Sequence, residues 1–251
     1  KYWELYDENE IKFPENDYFP KNAPDAAKFN WSRSYYGTPK EGPLPDTMAR
    51  NQIHGYYACV SFIDAQIGRI INELESLGLA ENTIIVLWGD HGHFLLEHGF
   101  WHKYCNFKLA TNAPLIVKVP WKTPNQESSA LIEFIDIYPS LCDLAGLSKP
   151  FHLQGKSFGP LLDQPEQPWK EAAFSRAGRG ETIFTKTHAY TEYINPETGE
   201  TYARMLYDHR VDPEENNNVS ELPENQKLIE TLHEKLQRHL KERDIIPLPI
   251  K

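Results

Sequence analysis

Ten residues constrain this chain more than any others: Thr83-Ile84-Ile85-Val86-Leu87-Trp88-Gly89-Asp90-His91-Gly92, an apolar, β-branched run that stops on an acid, an imidazole and two flanking glycines. Such a run reads as a buried parallel strand, and in open α/β sheets ligands sit beyond the carboxyl ends of these strands. Asp90 offers oxygen and His91 nitrogen to a metal, while Gly89 and Gly92 permit a sharp turn and close approach to a bound anion. A plainer alternative has Asp90 capping a following helix and His91 in solvent.

The residues that follow favour the metal. Leu95-Leu96-Glu97-His98-Gly99, then Trp101-His102-Lys103, then Ala113-Pro114-Leu115-Ile116 succeed Asp90-His91-Gly92 in order. This arrangement resembles the sulfatase family of the alkaline phosphatase superfamily, where D-H-G or D-N-G, L-G-E-H-G, a lysine and V-P-L-I recur in that sequence. It resembles most the iduronate-2-sulfatase branch, in which the metal motif carries His and the lysine follows a Trp-x pair. Upstream, Tyr56-Tyr57-Ala58-Cys59-Val60-Ser61-Phe62-Ile63-Asp64-Ala65-Gln66-Ile67-Gly68-Arg69 is similar to the family's Y-Y-A-x-V-S-Y-x-D-x-Q-V-G-R helix. Downstream, Leu206-Tyr207-Asp208 with Asp212-Pro213-Glu214-Glu215-Asn216-Asn217 is similar to its L-Y-D-x-x-x-D-P-x-E-x-x-N segment.

The resemblance implies part of an alkaline-phosphatase-like parallel or mixed sheet sandwiched by helices in residues 1–165, followed by a small α+β subdomain with an antiparallel sheet and terminal helix in residues 166–251. It implies a sulfuric ester hydrolase, with the 2-O-sulfate of uronic acids in glycosaminoglycan fragments as the expected target. Lys103 then contacts a sulfate oxygen, where a compact ammonium can also share in proton transfer; otherwise it is a snorkelling surface lysine. Asp90 and His91 become metal ligands. The resemblance points to Ca²⁺, although a hard cation prefers oxygen and His91 leaves room for Mn²⁺, Mg²⁺ or Zn²⁺. Location follows only from the resemblance: lysosomal, or periplasmic or secreted in bacteria.

The family's nucleophile is a formylglycine made from Cys or Ser in C/S-x-P-x-R, and no Cys or Ser here stands in that pattern. Nor is there the family's N-terminal pair of metal-binding aspartates. The expectation is therefore the C-terminal portion of a sulfatase, whose partner is the N-terminal portion of the same protein and whose substrate is a sulfated saccharide. Two alternatives remain: a metal-dependent phosphodiesterase or phosphonate hydrolase of the same superfamily, and a noncatalytic module.

Around Lys103, Trp101 and His102 either line a sugar pocket, since aromatic faces stack on pyranose rings, or in the case of Trp101 anchor the loop in the core. His98, with Glu97, either orients the loop by hydrogen bonds or reaches substrate. Arg179, in Ser175-Arg176-Ala177-Gly178-Arg179-Gly180, offers a guanidinium to a substrate carboxylate or sulfate, or is a solvated surface arginine. Leu96 stands where the family has glycine.

Net charge of -10, with 26 Lys and Arg in no dense run, argues against nucleic acid, whose phosphates need clustered cations. A sulfated glycan must then be held by a local basic pocket. No apolar run approaches the ~20 residues of a membrane span. Three scattered cysteines make no disulfide framework.

Along the chain, the first fifty residues read as an irregular excursion, including Pro39 and Pro43-Leu44-Pro45-Asp46. Asp46 is placed to cap a helix whose stripe of Ile53, Tyr57, Val60, Ile63, Ile67, Ile70, Ile71, Leu74 and Leu77 belongs in the core until Gly78 ends it. Further strands are expected at Leu115–Val119 and Ala130–Phe134, the latter leading into a helix capped by Asp136 and closed by Gly146. Strands alternating with helices imply parallel α/β architecture. Pro160–Pro168 reads as a subdomain boundary. A hairpin is expected at His188–Ile194 and Thr201–Tyr207, and a final helix from near Pro223 with Leu228, Ile229, Leu232, Leu236 and Leu240 on one face.

Overall fold

The computed structural model describes residues 1–28 and 44–245, so Pro39 and Pro43 of the expected excursion lie outside the described residues. The chain divides into two compact units, Lys1–Pro20 with Lys28–Trp121, and Lys21–Ala27 with Lys122–Lys251. Among the described residues no helix is long and apolar enough to cross a membrane.

In the first unit a helix of 31 residues, α1 (Asp46–Ser76), follows Pro45. Asp46 sits at the first helical position and makes no side-chain cap; it acts instead as an acid in the positive first turn. The end is as expected: Gly78 takes φ +68 and the Leu79 N–H returns to the Leu74 carbonyl. The apolar stripe is core only at its start. Ile53 packs with Ala49, Ile11 and Trp101, whereas Val60, Ile63 and Ile70 are 54%, 53% and 68% exposed. What covers α1 is the N-terminal segment, through the Tyr6 hydroxyl on Ser61 and Tyr2 against Phe62, and periodicity cannot show how far such a cover reaches.

The strand β1 (Ile85–Trp88) ends where expected, but Trp88 is 47% exposed rather than buried. A two-residue hairpin, β2 (Phe94–Leu95) and β3 (Trp101–His102), and a short helix, α2 (Lys108–Thr111), lead to β4 (Leu115–Lys118). β4 pairs antiparallel with β1, Leu87 opposite Ile116, which corrects the parallel expectation. The physical reason lies in the connection: a parallel return needs a crossover along the sheet face, and this segment folds back at the strand end instead.

In the second unit, residues 130–133 form no strand and Phe134–Asp136 is a 3-10 turn. Glu133 and Asp136 close this turn on each other as a capping box. Asp136, fully buried, does not cap α3 (Ile137–Leu144) with its side chain. Its carboxylate accepts from the Glu133 and Lys156 N–H groups and from the Lys170 ammonium at 2.7 Å. Gly146, at φ +67, closes α3 as expected. Pro160–Pro168 lies inside this unit, held by Lys122 on Asp163 and by Ser128 on the Pro165 carbonyl.

Four antiparallel strands follow in spatial order: β5 (Ala173–Ala177), β6 (Gly180–Phe184), β7 (His188–Ile194) and β8 (Thr201–Asp208). The helix α4 (Gln226–Ile245) buries Ile229, Leu232 and Leu236 on Ile183, Tyr190 and Leu206, with Leu228 and Leu240 at the margin, as its 3.6-residue spacing demands.

Candidate active site

β1 delivers the chain to Gly89, whose N–H donates to the Pro114 carbonyl at the start of β4. The next two residues stand at the strand end. Asp90 is largely exposed, and its Oδ2 lies 3.2 Å from Nε2 of His91. The His91 Nδ1 lies 2.8 Å from the Gly92 carbonyl, an acceptor only, so Nδ1 carries the hydrogen. The His91 Nε2 therefore faces the Asp90 carboxylate. An imidazole nitrogen and a carboxylate oxygen about 3 Å apart are spaced as adjacent ligands of one divalent cation would be. The pair fits a metal as two ligands. Among the described residues no group of three His, Cys, Asp or Glu side chains forms a fuller set.

A Cβ on Gly92 would stand 1.8 Å from the Leu109 carbonyl oxygen, so glycine here permits the loop to lie close against α2.

The β2–β3 hairpin supplies the other wall. Phe94 pairs with His102 and Leu95 with Trp101, which makes His93 and Lys103 the next pair at its open end. His93 stacks on Tyr56 of α1, with centroids 5.0 Å and planes 27° apart, and meets His102 edge-on at 5.7 Å. Burial, followed by the charges of His102, His91 and Lys103, pushes His93 down to about 4. Its ring is neutral at physiological pH. Burial, and next to it the Lys103 charge, also lowers His102. Lys103 is half-buried, its ammonium 5.5 Å from the centre of the Tyr104 ring.

The remaining residues divide. Glu97 orients the loop as expected: its Oε2 accepts the Leu95 N–H at 2.6 Å. Trp101, 5% exposed, lies in the core with Ile11, Ala49 and Ile53. His98, 3% exposed, is wedged among Phe94, Phe100 and Phe107, and its backbone N–H donates to Asn16. Both are thus buried parts of the loop's anchorage, Trp101 among aliphatic side chains and His98 among three phenylalanine rings and the Asn16 backbone. His102 stays beside Lys103. Arg179 belongs to the second unit, exposed on the turn between β5 and β6. Tyr56 carried no chemical signal in the sequence, and His93 was visible only as one more histidine in a crowded loop; no local pattern pairs a helix residue with a residue past a distant strand.

The chain thus combines a strand-end Asp-His pair, a lysine at the end of a short hairpin and an antiparallel C-terminal sheet backed by a helix, in an α/β fold. The chain belongs to the sulfatase family: the Sulfatase family model matches residues 9–147, and that for the C-terminal region of N-sulphoglucosamine sulphohydrolase matches residues 96–242. It is 37% identical over 134 residues to iduronate 2-sulfatase of Homo sapiens, covering 43% of this chain and 24% of that protein. It is 29% identical over 252 residues to N-acetylglucosamine-6-O-sulfatase of Bacteroides thetaiotaomicron, covering 89% and 44%. A solved enzyme in complex with its substrate D-glucosamine-2-N,6-O-disulfate superposes with TM-score 0.73 at 29% identity over 82% of this chain and 44% of that one. Phosphonate monoester hydrolase from Silicibacter pomeroyi shares the fold, with TM-score 0.81 at 22% identity over 98% and 53%. The chain thus spans roughly a quarter to a half of the length of these relatives.

Proposed function

We propose that the protein carrying this chain is a sulfatase that hydrolyses a sulfate ester on a glycosaminoglycan saccharide, with the 2-O-sulfate of a uronic acid as its substrate. The observation that supports this reading is the meeting of His91, His102 and Lys103, drawn from a strand end and a separate hairpin, around the single ring of His93, with Asp90 against His91. The similarity to iduronate 2-sulfatase supports the uronate over glucosamine, although the glucosamine 6-O-sulfatase covers more of this chain.

Asp90 and His91 would hold a divalent cation, Ca²⁺ in this family, with further ligands and the formylglycine nucleophile supplied by residues other than these 251. When bound, that cation neutralises charge on the nonbridging sulfate oxygens. Lys103 provides a second positive contact to the sulfate, one that strengthens as charge builds in the transition state. His93, being neutral and half-buried, and the buried His102 restrict water near the ammonium without adding competing positive charge. A less hydrated ammonium interacts more strongly with an anion.

The test uses protein from the complete reading frame, assayed on a 2-O-sulfated unsaturated uronate disaccharide beside 6-O-sulfated glucosamine and an aryl phosphonate. Preference for the glucosamine would reassign the sugar, and preference for the phosphonate would reassign the reaction. Asp90→Ala should abolish retention of the metal; unchanged metal by elemental analysis would remove Asp90 and His91 from that role.

A further inference from the structure

Lys103 extends from a hairpin with two residues in each strand, too short a ladder to hold its end rigidly. The same hairpin carries backbone in the left-handed region at Leu96, His98 and His102, where side chains add strain. Something else must set where the ammonium stands. From α1, Tyr56 stacks face to face on His93, and His93 meets His102 edge-on at 81°, immediately before Lys103. Three rings therefore run without a break from a 31-residue helix to the backbone that bears the lysine.

We propose that Tyr56 is a positioning residue: its ring fixes His93, and through His93 the His102–Lys103 backbone, so that the ammonium is presented at one place rather than swept over several. The proposal rests on the reading of Lys103 as a sulfate contact. It depends on the ring and not on the phenol hydroxyl, because the stack is between ring faces. The neighbouring Tyr57 provides an internal control. It is equally exposed, 38% against 39%, yet packs on Tyr6 at 5.5 Å, away from the hairpin.

The experiment has a kinetic and a spectroscopic arm, both on protein from the complete reading frame. Tyr56→Leu should lower kcat about tenfold or more with KM changed less than about threefold, since misplacement by about an ångström costs transition-state contacts first. Tyr56→Phe, which keeps the ring, should restore most of kcat, and Tyr57→Leu should leave it near normal. With ¹³C-labelled histidine, the ring resonances of His93 and His102 should both move in Tyr56→Leu and stay in Tyr57→Leu. Should Tyr56→Leu fail to fold, Tyr56→Met takes its place in both arms. Unmoved His93 and His102 resonances would overturn the proposal, as would a Tyr56→Phe variant as impaired as Tyr56→Leu. A protein that turns over no sulfate ester would sink the functional reading alone, and the resonances would still decide whether Tyr56 holds His102.

Discussion

Gly92 lies against Leu109 so closely that a Cβ would stand 1.8 Å from the Leu109 carbonyl oxygen, and the Gly92 N–H donates to the Ala110 carbonyl at 2.8 Å. The Asp90–His91 loop is thus seated backbone to backbone on α2, and the two side chains inherit their place from that seat. Gly92→Ala must push loop and helix apart, at a cost of about 3 kcal/mol or more by analogy with overpacked cores. Gly68, within α1, has open space where a Cβ would be, and Gly68→Ala should stabilise by about 0.5–1 kcal/mol. Chemical denaturation of the two variants checks the pair: equal and small effects would refute the seating.

Leu96 occupies φ +94, a backbone region suited to glycine, at the position where the family pattern carries one. Relief of left-handed strain, about 1–2 kcal/mol, should offset much of the packing lost when a half-buried leucine is removed. Leu96→Gly is expected within about 1 kcal/mol of the parent, and Leu95→Gly, in strand β2, at least about 2 kcal/mol below it. Similar losses at both positions in thermal or urea unfolding would show that no strain is stored at Leu96.

Lys103→Ala should reduce kcat on the sulfated disaccharide about a hundredfold or more, with KM less affected, because the contact strengthens only as charge develops. Lys103→Arg should not rescue it, a planar fork being a poor substitute for a compact ammonium beside His102. Near-normal steady-state turnover by Lys103→Ala would exclude the residue from the reaction.

His93 should titrate near 4 in the metal-free protein, well below its ordinary 6.5, chiefly because burial disfavours the imidazolium, with His102, His91 and Lys103 adding to the effect. Between these values the unfolded chain binds a proton that the folded chain rejects. The contribution to stability is therefore complete above about pH 6.5 and is lost as pH falls through 4. Labelled-histidine NMR gives the midpoint directly, and melting temperatures of His93→Gln should fall less steeply than the parent's over the same interval. A midpoint near 6.5 would contradict the buried, cation-flanked placement.

Local signals were legible where one short stretch decides the outcome. Gly78 ends α1, Gly146 ends α3, and the Asn195–Glu200 turn joins β7 to β8, because a left-handed glycine or a tight turn is a property of a few residues. The face of α4 was readable for a related reason: Ile229, Leu232 and Leu236 repeat with the helix period, and an amphipathic helix next to an antiparallel sheet has one apolar surface to cover. The order of Asp90, His91 and Lys103 along the chain is likewise a property of the sequence, and it carries the resemblance to the family.

Other features needed the fold. That β4 returns antiparallel to β1, that Ile63 and Ile70 of α1 face outward, and that Trp101 and His98 are core all depend on which distant segments come to lie together. The stacking of Tyr56 on His93 is of the same kind. The sequence by itself determined where helices and turns begin and end and which residue types are available for chemistry, since those follow from dihedral preference and side-chain donors. Only the tertiary structure decided that Tyr56, His93 and His102 lie ring against ring beside Lys103 while Arg179 belongs to another unit, because burial, strain and electrostatic coupling arise from neighbours in space, and Tyr56 is tens of residues from the others in the chain.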